Sequence, residues 1–260
     1  MGNVISKDGT SIAYERKGEG SPIILVDGAF CSRSFGPMGR LSSLLSERFS
    51  VYIYDRRGRG DSGDASAYNV DREIEDLDAI LKEAGDEASV FGMSSGAMLS
   101  LLAAGGGLPI RKLALFEPPY LPGGAGDLAQ GDPAARITEL ARSGRRGDAV
   151  GVFMTQVMGM PEEAFSGMRQ APTFPAMEAV AHTLAYDVMI TNDRSLAGKL
   201  AQIATPTLVI GGDNSPSLLR QAVESIADAM PHAERRMLSG QTHDVNLDVL
   251  APVLDAFFAS

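Results

Sequence analysis

The stretch SVFGMSSGAML, Ser89 to Leu99, joins an apolar run to a segment of small residues through two glycines that flank two serines. The apolar part is typical of a buried strand, and the part after Gly96 favours a helix. Gly92-Met93-Ser94-Ser95-Gly96 follows the pattern G-x-S-x-G, in which the glycines leave room for a sharp reversal from strand to helix. This pattern predicts that Ser94 is a nucleophile at the carboxyl edge of a sheet. The Ser95 N–H, at the start of the helix, is then a predicted oxyanion donor.

Strand and helix patterns alternate on both sides of this stretch. Continuous apolar runs such as SPIILV (21–26) and FSVYIY (49–54) are typical of strands buried on both faces of a parallel sheet. Asp8-Gly9 indicates a hairpin between two short strands at the start of the chain, and Asn69 is a predicted N-cap for the helix that follows it. The alternation predicts an α/β protein with a doubly wound, mostly parallel sheet of eight strands.

The middle of the chain, residues 120–200, breaks this alternation because it contains no strand run. It begins with a connection rich in glycine and proline, LPGGAGDLAQGDP, and continues with helical patterns that carry many methionines. The segment is interpreted as a helical insertion after the sixth strand, with residues 1–119 and 201–260 forming the core. Either it has an ordinary core of its own, or it is a lid whose methionines line an adaptable apolar pocket.

Composition excludes several classes of partner. The 260 residues suffice for one α/β domain, and their formal net charge of −10 argues against nucleic acid and anionic lipid surfaces. No apolar run approaches the roughly 20 residues of a membrane helix, and the polar start of the chain does not resemble a signal peptide. Cys31 is the single cysteine, so no internal disulfide forms and a reducing cytoplasm is the expected location.

Candidate metal and cofactor sites are absent from the sequence pattern. Three scattered histidines and one cysteine do not form a ligand cluster, and the phosphate-loop signature G-K-[ST] is missing. We therefore expect no metal and no cofactor, and a small molecule as substrate.

The predicted base is His243, in the segment LSGQTHDV between the last strand and the closing helix. A neutral imidazole near its ordinary pKa can accept the serine proton and return it to the leaving group. His182, in the middle region, and His232, beside a proline, are interpreted as hydrogen-bonded or solvated side chains.

With this G-x-S-x-G turn and this histidine, the order of strands, helices and motifs resembles the α/β-hydrolase superfamily over essentially the whole chain. YDRRGRGDS (54–62) resembles the family's D-x-R-G-x-G-x-S loop after the fourth strand. The loop also contains a formal G-x-G-x-x-G at Gly58, Gly60 and Gly63, but no helix pattern opens at the third glycine, which argues against dinucleotide binding. Arg59-Gly60-Asp61 is interpreted as a polar turn.

The resemblance leaves the third member of a catalytic triad open. The family most often carries the acid after the seventh strand, as G-x-x-D. Here Gly211-Gly212-Asp213-Asn214 places Asp213 one residue early. Some members place the acid after the sixth strand, where this chain has Glu117. Either Glu117 or Asp213 would orient His243 and stabilise its imidazolium.

The second oxyanion donor of the family usually follows a His-Gly pair after the third strand. This chain has Asp27-Gly28-Ala29-Phe30, so the match implies the Ala29 N–H as donor and Asp27 as a departure from the pattern. A carboxylate beside a developing oxyanion is unfavourable unless its charge is absorbed. Phe30, Cys31 and Met93, which flank these donors, are predicted to contact substrate.

Together these features predict a serine hydrolase, similar to a carboxylesterase or lactonase, that cleaves a small to medium apolar ester or lactone. Two alternatives stay open. The same residues can perform acyl transfer, perhydrolysis or a retro-condensation, or the chain can be a catalytically silent ligand-binding member of the family. A homodimer is also compatible with this fold.

Overall fold

An eight-stranded sheet lies at the centre of the computed structural model, which describes residues 1–85, 88–120 and 131–260. Its strands are β1 (Gly2–Ile5), β2 (Ser11–Lys17), β3 (Ser21–Val26), β4 (Phe49–Tyr54), β5 (Ser89–Met93), β6 (Leu113–Phe116), β7 (Thr207–Gly212) and β8 (Ala233–Leu238). The strand order is β1-β2-β4-β3-β5-β6-β7-β8, and β2 runs antiparallel to both of its neighbours while the others are parallel. The predicted doubly wound, mostly parallel sheet is confirmed.

Helices cover both faces of the sheet. Outside the middle region they are α1 (Met38–Leu45), α2 (Val70–Ala84), α3 (Ser95–Gly105), α9 (Ser217–Ala229) and α10 (Leu247–Ala259). Between β6 and β7 they are α4 (Pro133–Arg142), α5 (Arg146–Val152), α6 (Glu162–Met168), α7 (Phe174–Ala179) and α8 (Leu184–Thr191). Asn69 caps α2 as predicted, since its side chain accepts a hydrogen bond from the Arg72 N–H. Two apolar cores result, one beneath α2, α3 and α9 and one beneath α1 and α10.

The segment between β6 and β7 is helical throughout its regular elements in the described residues. A π-helical turn, Phe153–Val157, continues α5, and a third apolar core forms around Ile137, Leu140, Phe153 and Leu184. Of the glycine- and proline-rich connection that the sequence indicates at 121–133, residues 121–130 lie outside the described residues. Of the helices in the described ranges, none is both long and apolar enough to cross a bilayer.

The glycines of the G-x-S-x-G turn permit a close approach between α3 and the sheet. A Cβ on Gly96 would lie 2.4 Å from the carbonyl oxygens of both Val26 and Asp27, at the end of β3. A Cβ on Gly92 would lie 2.6 Å from the Gly96 carbonyl oxygen. Backbone atoms cannot move aside as a flexible side chain does, so the turn requires glycine at both positions.

We expect Gly96→Ala to destabilise the protein by about 3 kcal/mol, because the added methyl overlaps two backbone carbonyls. The matched control is Gly167→Ala in α6, where a Cβ meets no atom within 4 Å and the gain in helix propensity is stabilising by up to about 1 kcal/mol. Thermal unfolding of both variants measures the difference, and equal melting temperatures would contradict the close approach.

Candidate active site

A cavity of about 1240 Å³ opens at the carboxyl edge of the sheet. Its lining comes from the loop after β3, the G-x-S-x-G turn, the helices between β6 and β7, and the segment between β8 and α10. All but two of the predicted site residues line it: Ala29, Phe30, Cys31, Met93, Ser94, Ser95 and His243.

Ser94 occupies the reversal between β5 and α3 in a backbone conformation rare for a non-glycine residue, with φ 55° and ψ −124°. Such a conformation costs on the order of 1–3 kcal/mol and persists because the surroundings impose it. The Ser94 N–H donates to the Phe116 carbonyl at 2.9 Å, and the Ser94 carbonyl accepts from the Ala97 N–H at 3.0 Å. These bonds fix the serine at the cavity wall, and Ser95 follows as the first residue of α3.

Glu117 lies behind the cavity wall and contacts His243. Its Oε2 atom is 2.7 Å from His243 Nδ1, and its Oε1 atom accepts a hydrogen bond of 2.7 Å from the Gly212 N–H. The carboxyl group is fully buried, whereas the imidazole is 30 % exposed. Glu117 therefore fixes the orientation of a histidine whose other edge is open to solvent.

The protonation state of this pair follows from its contacts. Burial raises the pKa of Glu117, but the hydrogen bonds from His243 and the Gly212 N–H outweigh it and hold that pKa below its ordinary value. An ionised carboxylate only accepts hydrogen bonds, so Nδ1 of His243 carries the proton. In a neutral ring this leaves the lone pair on Nε2, which is the form a general base requires.

Asp213, the other carboxylate that the sequence left open, is brought elsewhere. It is exposed, its Oδ1 accepts from the Gly240 N–H at 2.7 Å, and its carbonyl accepts from Arg220. Asp213 thus holds the turn after β8. The interpretation of Asp213 as the partner of His243 is corrected, because the acid at the end of β6 occupies that place.

The loop after β3 brings Ala29 and Phe30 to the cavity. Phe30 has a positive φ of 65° and packs edge to face against Phe153 of the π-helical turn, with ring centroids 5.4 Å apart. Burial, and then the nearby Asp27, raise the pKa of the Cys31 thiol far above its ordinary range. The thiol is therefore protonated, which argues against Cys31 as a nucleophile.

A buried ion network joins the G-x-S-x-G turn to the helices between β6 and β7. Asp187 of α8 accepts a hydrogen bond of 2.7 Å from Ser95 Oγ. The same carboxylate accepts from Arg56 at 2.9 Å and from Arg59 at 2.8 Å. Arg56 also forms a bidentate pair with Glu73 of α2. All of these charged groups are buried and matched by opposite charge.

The two arginines also contact the backbone of the two residues that precede Ala29. Arg59 donates to the Gly28 carbonyl at 2.5 Å, and Arg56 donates to the Asp27 carbonyl at 3.3 Å. The interpretation of Arg59-Gly60-Asp61 as a polar turn is therefore wrong for Arg59, which is 1 % exposed. Sequence reasoning missed Asp187 altogether; the only signal was a carboxylate in an otherwise apolar stretch, LAYDVMI.

His182 and His232 lie away from the chemistry. His182 Nε2 is 3.5 Å from an Asp64 oxygen at the junction between the inserted helices and the loop after β4, and neither histidine lines the cavity. No cluster of three or more metal-ligating side chains occurs in the part of the chain that the structure describes.

Comparison with known proteins identifies the family of the chain. A sequence profile described as the alpha/beta hydrolase family matches residues 23–256. The chain belongs to this family. An alpha/beta hydrolase from Sphaerobacter thermophilus is 49 % identical, with a TM-score of 0.89 over 99 % of this chain and 100 % of that one.

More distant solved structures share the fold. The enol-lactonase from Burkholderia xenovorans is 20 % identical with a TM-score of 0.72, and an esterase from Exiguobacterium antarcticum is 18 % identical with a TM-score of 0.74. Each comparison covers 100 % of both chains. A search of curated proteins found no match.

We expect Asp187→Ala to destabilise the protein by about 3–5 kcal/mol, because it leaves Arg56 and Arg59 buried without a shared counter-charge. Burial raises the pKa of Asp187, but the two arginines outweigh it and lower that pKa overall. Its stabilisation is therefore present above pH ~4 and is lost as the pH falls below that value.

Chemical denaturation at pH 7 measures this effect. The matched control is Asp148→Ala, which removes an exposed carboxylate that also pairs with two arginines and costs about 0–1 kcal/mol. Similar losses in the two variants would contradict a structural role for the buried network.

Proposed function

We propose that the protein is a serine hydrolase that cleaves esters or lactones through an acyl-enzyme intermediate. One observation carries the proposal: a buried Glu117 orients His243 through Nδ1, and His243 lines the same cavity as Ser94 at its strained turn. A carboxylate that orients a histidine, which in turn acts on a serine, is the general arrangement for acyl transfer to a serine hydroxyl group.

In the proposed first half-reaction, Ser94 Oγ attacks the acyl carbon while His243 Nε2 takes the hydroxyl proton. The imidazolium is stabilised by the Glu117 carboxylate. The N–H groups of Ser95 and Ala29 hold the oxygen that becomes negative, and the positive end of α3 adds to this stabilisation. The tetrahedral intermediate then collapses, and His243 gives its proton to the departing alcohol.

In the second half-reaction, water replaces the alcohol. His243 Nε2 takes a proton from water, whose oxygen attacks the acyl carbon of the ester on Ser94. Collapse of the second tetrahedral intermediate breaks the bond to Ser94 Oγ, which regains its proton from His243. The products are a carboxylic acid and the free enzyme.

The cavity favours a largely apolar substrate of small to medium size. Its inner wall carries Phe30, Met93, Phe153, Met154 and Val188. A pocket of this volume accommodates a molecule well beyond the size of acetate esters. The fold shared with an esterase and an enol-lactonase is in keeping with this substrate class.

We further propose that the helices between β6 and β7 act as a lid over the cavity. The homodimer and the cytoplasmic location stay predictions.

One observation keeps a non-hydrolytic reaction open, namely the carboxyl group of Asp27 beside the proposed oxyanion donors. Reaction in ¹⁸O-labelled water separates the two. Hydrolysis incorporates one labelled oxygen into the carboxylic acid, whereas transfer to a second alcohol leaves the product without label.

A fluorophosphonate probe should add its mass to the folded wild-type protein and not to Ser94→Ala, because only an activated serine attacks phosphorus at a useful rate. Intact-protein mass spectrometry gives the readout. Ser239→Ala, which removes an exposed hydroxyl, is the control and should be labelled like wild type. Labelling of Ser94→Ala would show that a different residue is the nucleophile.

Glu117→Gln should lower kcat by on the order of 10⁴-fold, since an amide no longer fixes the tautomer and charge of His243. Asp213→Asn is the matched control, because it makes the same chemical change in the carboxylate that lies at the Gly240 turn. Its kcat should stay near that of wild type. Steady-state hydrolysis of p-nitrophenyl butyrate measures both, and a larger loss in Asp213→Asn would reverse the assignment.

A further inference from the structure

Asp27 lines the cavity and has one buried carboxyl oxygen without a hydrogen-bond partner. The residue is 4 % exposed, and it follows β3 directly. Its Oδ1 atom accepts a hydrogen bond of 3.0 Å from the Gly28 N–H, while Oδ2 has no partner in hydrogen-bond geometry among the described residues. A buried polar atom without a partner is costly, and at a cavity wall it points to a group that arrives with the ligand.

The surroundings of Oδ2 are narrow. A Cβ on Gly36 would lie 2.9 Å from Oδ2 and also 2.9 Å from Cys31 Sγ, so these three residues form one tight corner that also lines the cavity. The Cys31 thiol lies beside Oδ2 as a weak donor and remains protonated. A thiol is only a weak hydrogen-bond donor, and no Cys31–Oδ2 contact meets hydrogen-bond geometry, so Cys31 satisfies Oδ2 poorly.

The charges that face Asp27 from neighbouring elements nearly cancel. Arg59 and Arg56, in the loop after β4, are the cations whose charge acts on Asp27. Each is already paired with a buried carboxylate: Arg56 with Glu73 and Asp187, and Arg59 with Asp187. They bind the backbone carbonyls of residues 27 and 28 rather than the side chain. No strong counter-charge is thus left to hold Asp27 as an anion.

Burial consequently dominates the ionisation of this side chain. It raises the pKa of Asp27 to about 7, against the smaller opposing effects of the Gly28 N–H, Cys31 and the two arginines. Below that pH the group is a carboxylic acid, which has an O–H to donate. The unfavourable charge that the sequence suggested beside the oxyanion donors is then removed by a proton.

We propose that Asp27 is a specificity-determining residue of this site, whose carboxyl O–H donates a hydrogen bond to an oxygen of the acyl group beside the reacting carbonyl. The cavity then prefers esters and lactones of 2-alkoxy, 2-hydroxy or 2-oxo acids to those of plain alkyl acids. This assignment rests on the proposed function, because it takes the acyl carbon to lie between Ser94 and the Ala29 N–H.

A pair of esters tests the assignment, since p-nitrophenyl methoxyacetate and p-nitrophenyl butyrate differ only by an oxygen in place of a methylene. The measured quantity is the ratio of their kcat/KM values. Comparing this ratio between variants cancels the difference in intrinsic reactivity of the two esters. At pH 6 the ratio in wild type should exceed that in Asp27→Leu by about tenfold, the size expected for one hydrogen bond.

Acidity gives a second readout. As the pH rises from 6 to 8.5, the ratio in wild type should fall towards that of Asp27→Leu, because the ionised carboxylate repels an ether oxygen. In Asp27→Asn, whose amide is a donor at every pH, the ratio should stay constant. Asp248→Asn makes the same change in an exposed carboxylate at the cavity rim, and its ratio should follow wild type.

Thermal unfolding shows whether Asp27 is held neutral in the folded protein, independently of turnover. The unfolded chain ionises Asp27 near pH ~3.9 and the folded chain does so at a higher pH, so burial destabilises wild type increasingly as the pH rises between these values. Asp27→Asn should therefore melt at a higher temperature than wild type at pH 8, and the difference should vanish at pH 4. An equal difference at both pH values would overturn the neutral form.

The outcomes separate the two proposals. If the fluorophosphonate labels Ser94 but the ester ratio is the same in wild type and Asp27→Leu, the hydrolase stands and the role of Asp27 is refuted. If neither labelling nor hydrolysis occurs, the proposed hydrolase function is refuted. The role of Asp27 is then decided by the affinities for methoxyacetamide and butyramide, measured by protein NMR. Tighter binding of methoxyacetamide only when Asp27 is present supports the assignment, and equal affinities overturn it.

Discussion

The carboxylate of Asp187 is the contact on which the candidate site depends. It joins α8 to Ser95 at the start of α3 and, through Arg56 and Arg59, to the loop after β4 and the backbone below Ala29. A buried carboxylate is tolerated only when its charge is matched, so the network forms completely or is strongly destabilising. One interaction thereby couples the helices between β6 and β7 to both proposed oxyanion donors.

Much of the architecture follows from local patterns in the sequence. The G-x-S-x-G pattern identifies where strand meets helix, and the structure gives the reason, because only glycine fits against the end of β3 at Gly96. The apolar runs of β3 and β4 similarly predict strands covered on both faces. Asn69 is recognisable as a cap because its side chain acts on a residue three positions away. Each of these signals arises within a few residues.

The parts that sequence reasoning left open or missed depend on contacts between distant segments. Glu117 and Asp213 both follow strands, and only the pairing of β6 with β7 and the path of the chain after β8 decide which one meets His243. Arg59 has the composition of a solvated turn, and its burial requires Asp187, which lies 128 positions further along the chain. No local pattern carries information about such a partner.

Backbone strain is concentrated at the cavity. Phe30, Ser94 and Glu117 are the non-glycine residues with positive φ in the described chain; Ser94 and Glu117 directly follow β5 and β6, and Phe30 lies in the loop after β3. Each conformation costs on the order of 1–3 kcal/mol, so glycine at these positions would relieve strain at the expense of the side chains proposed to act there. Laboratory evolution for heat resistance should therefore favour glycine at these three positions, whereas selection for turnover should retain the present side chains.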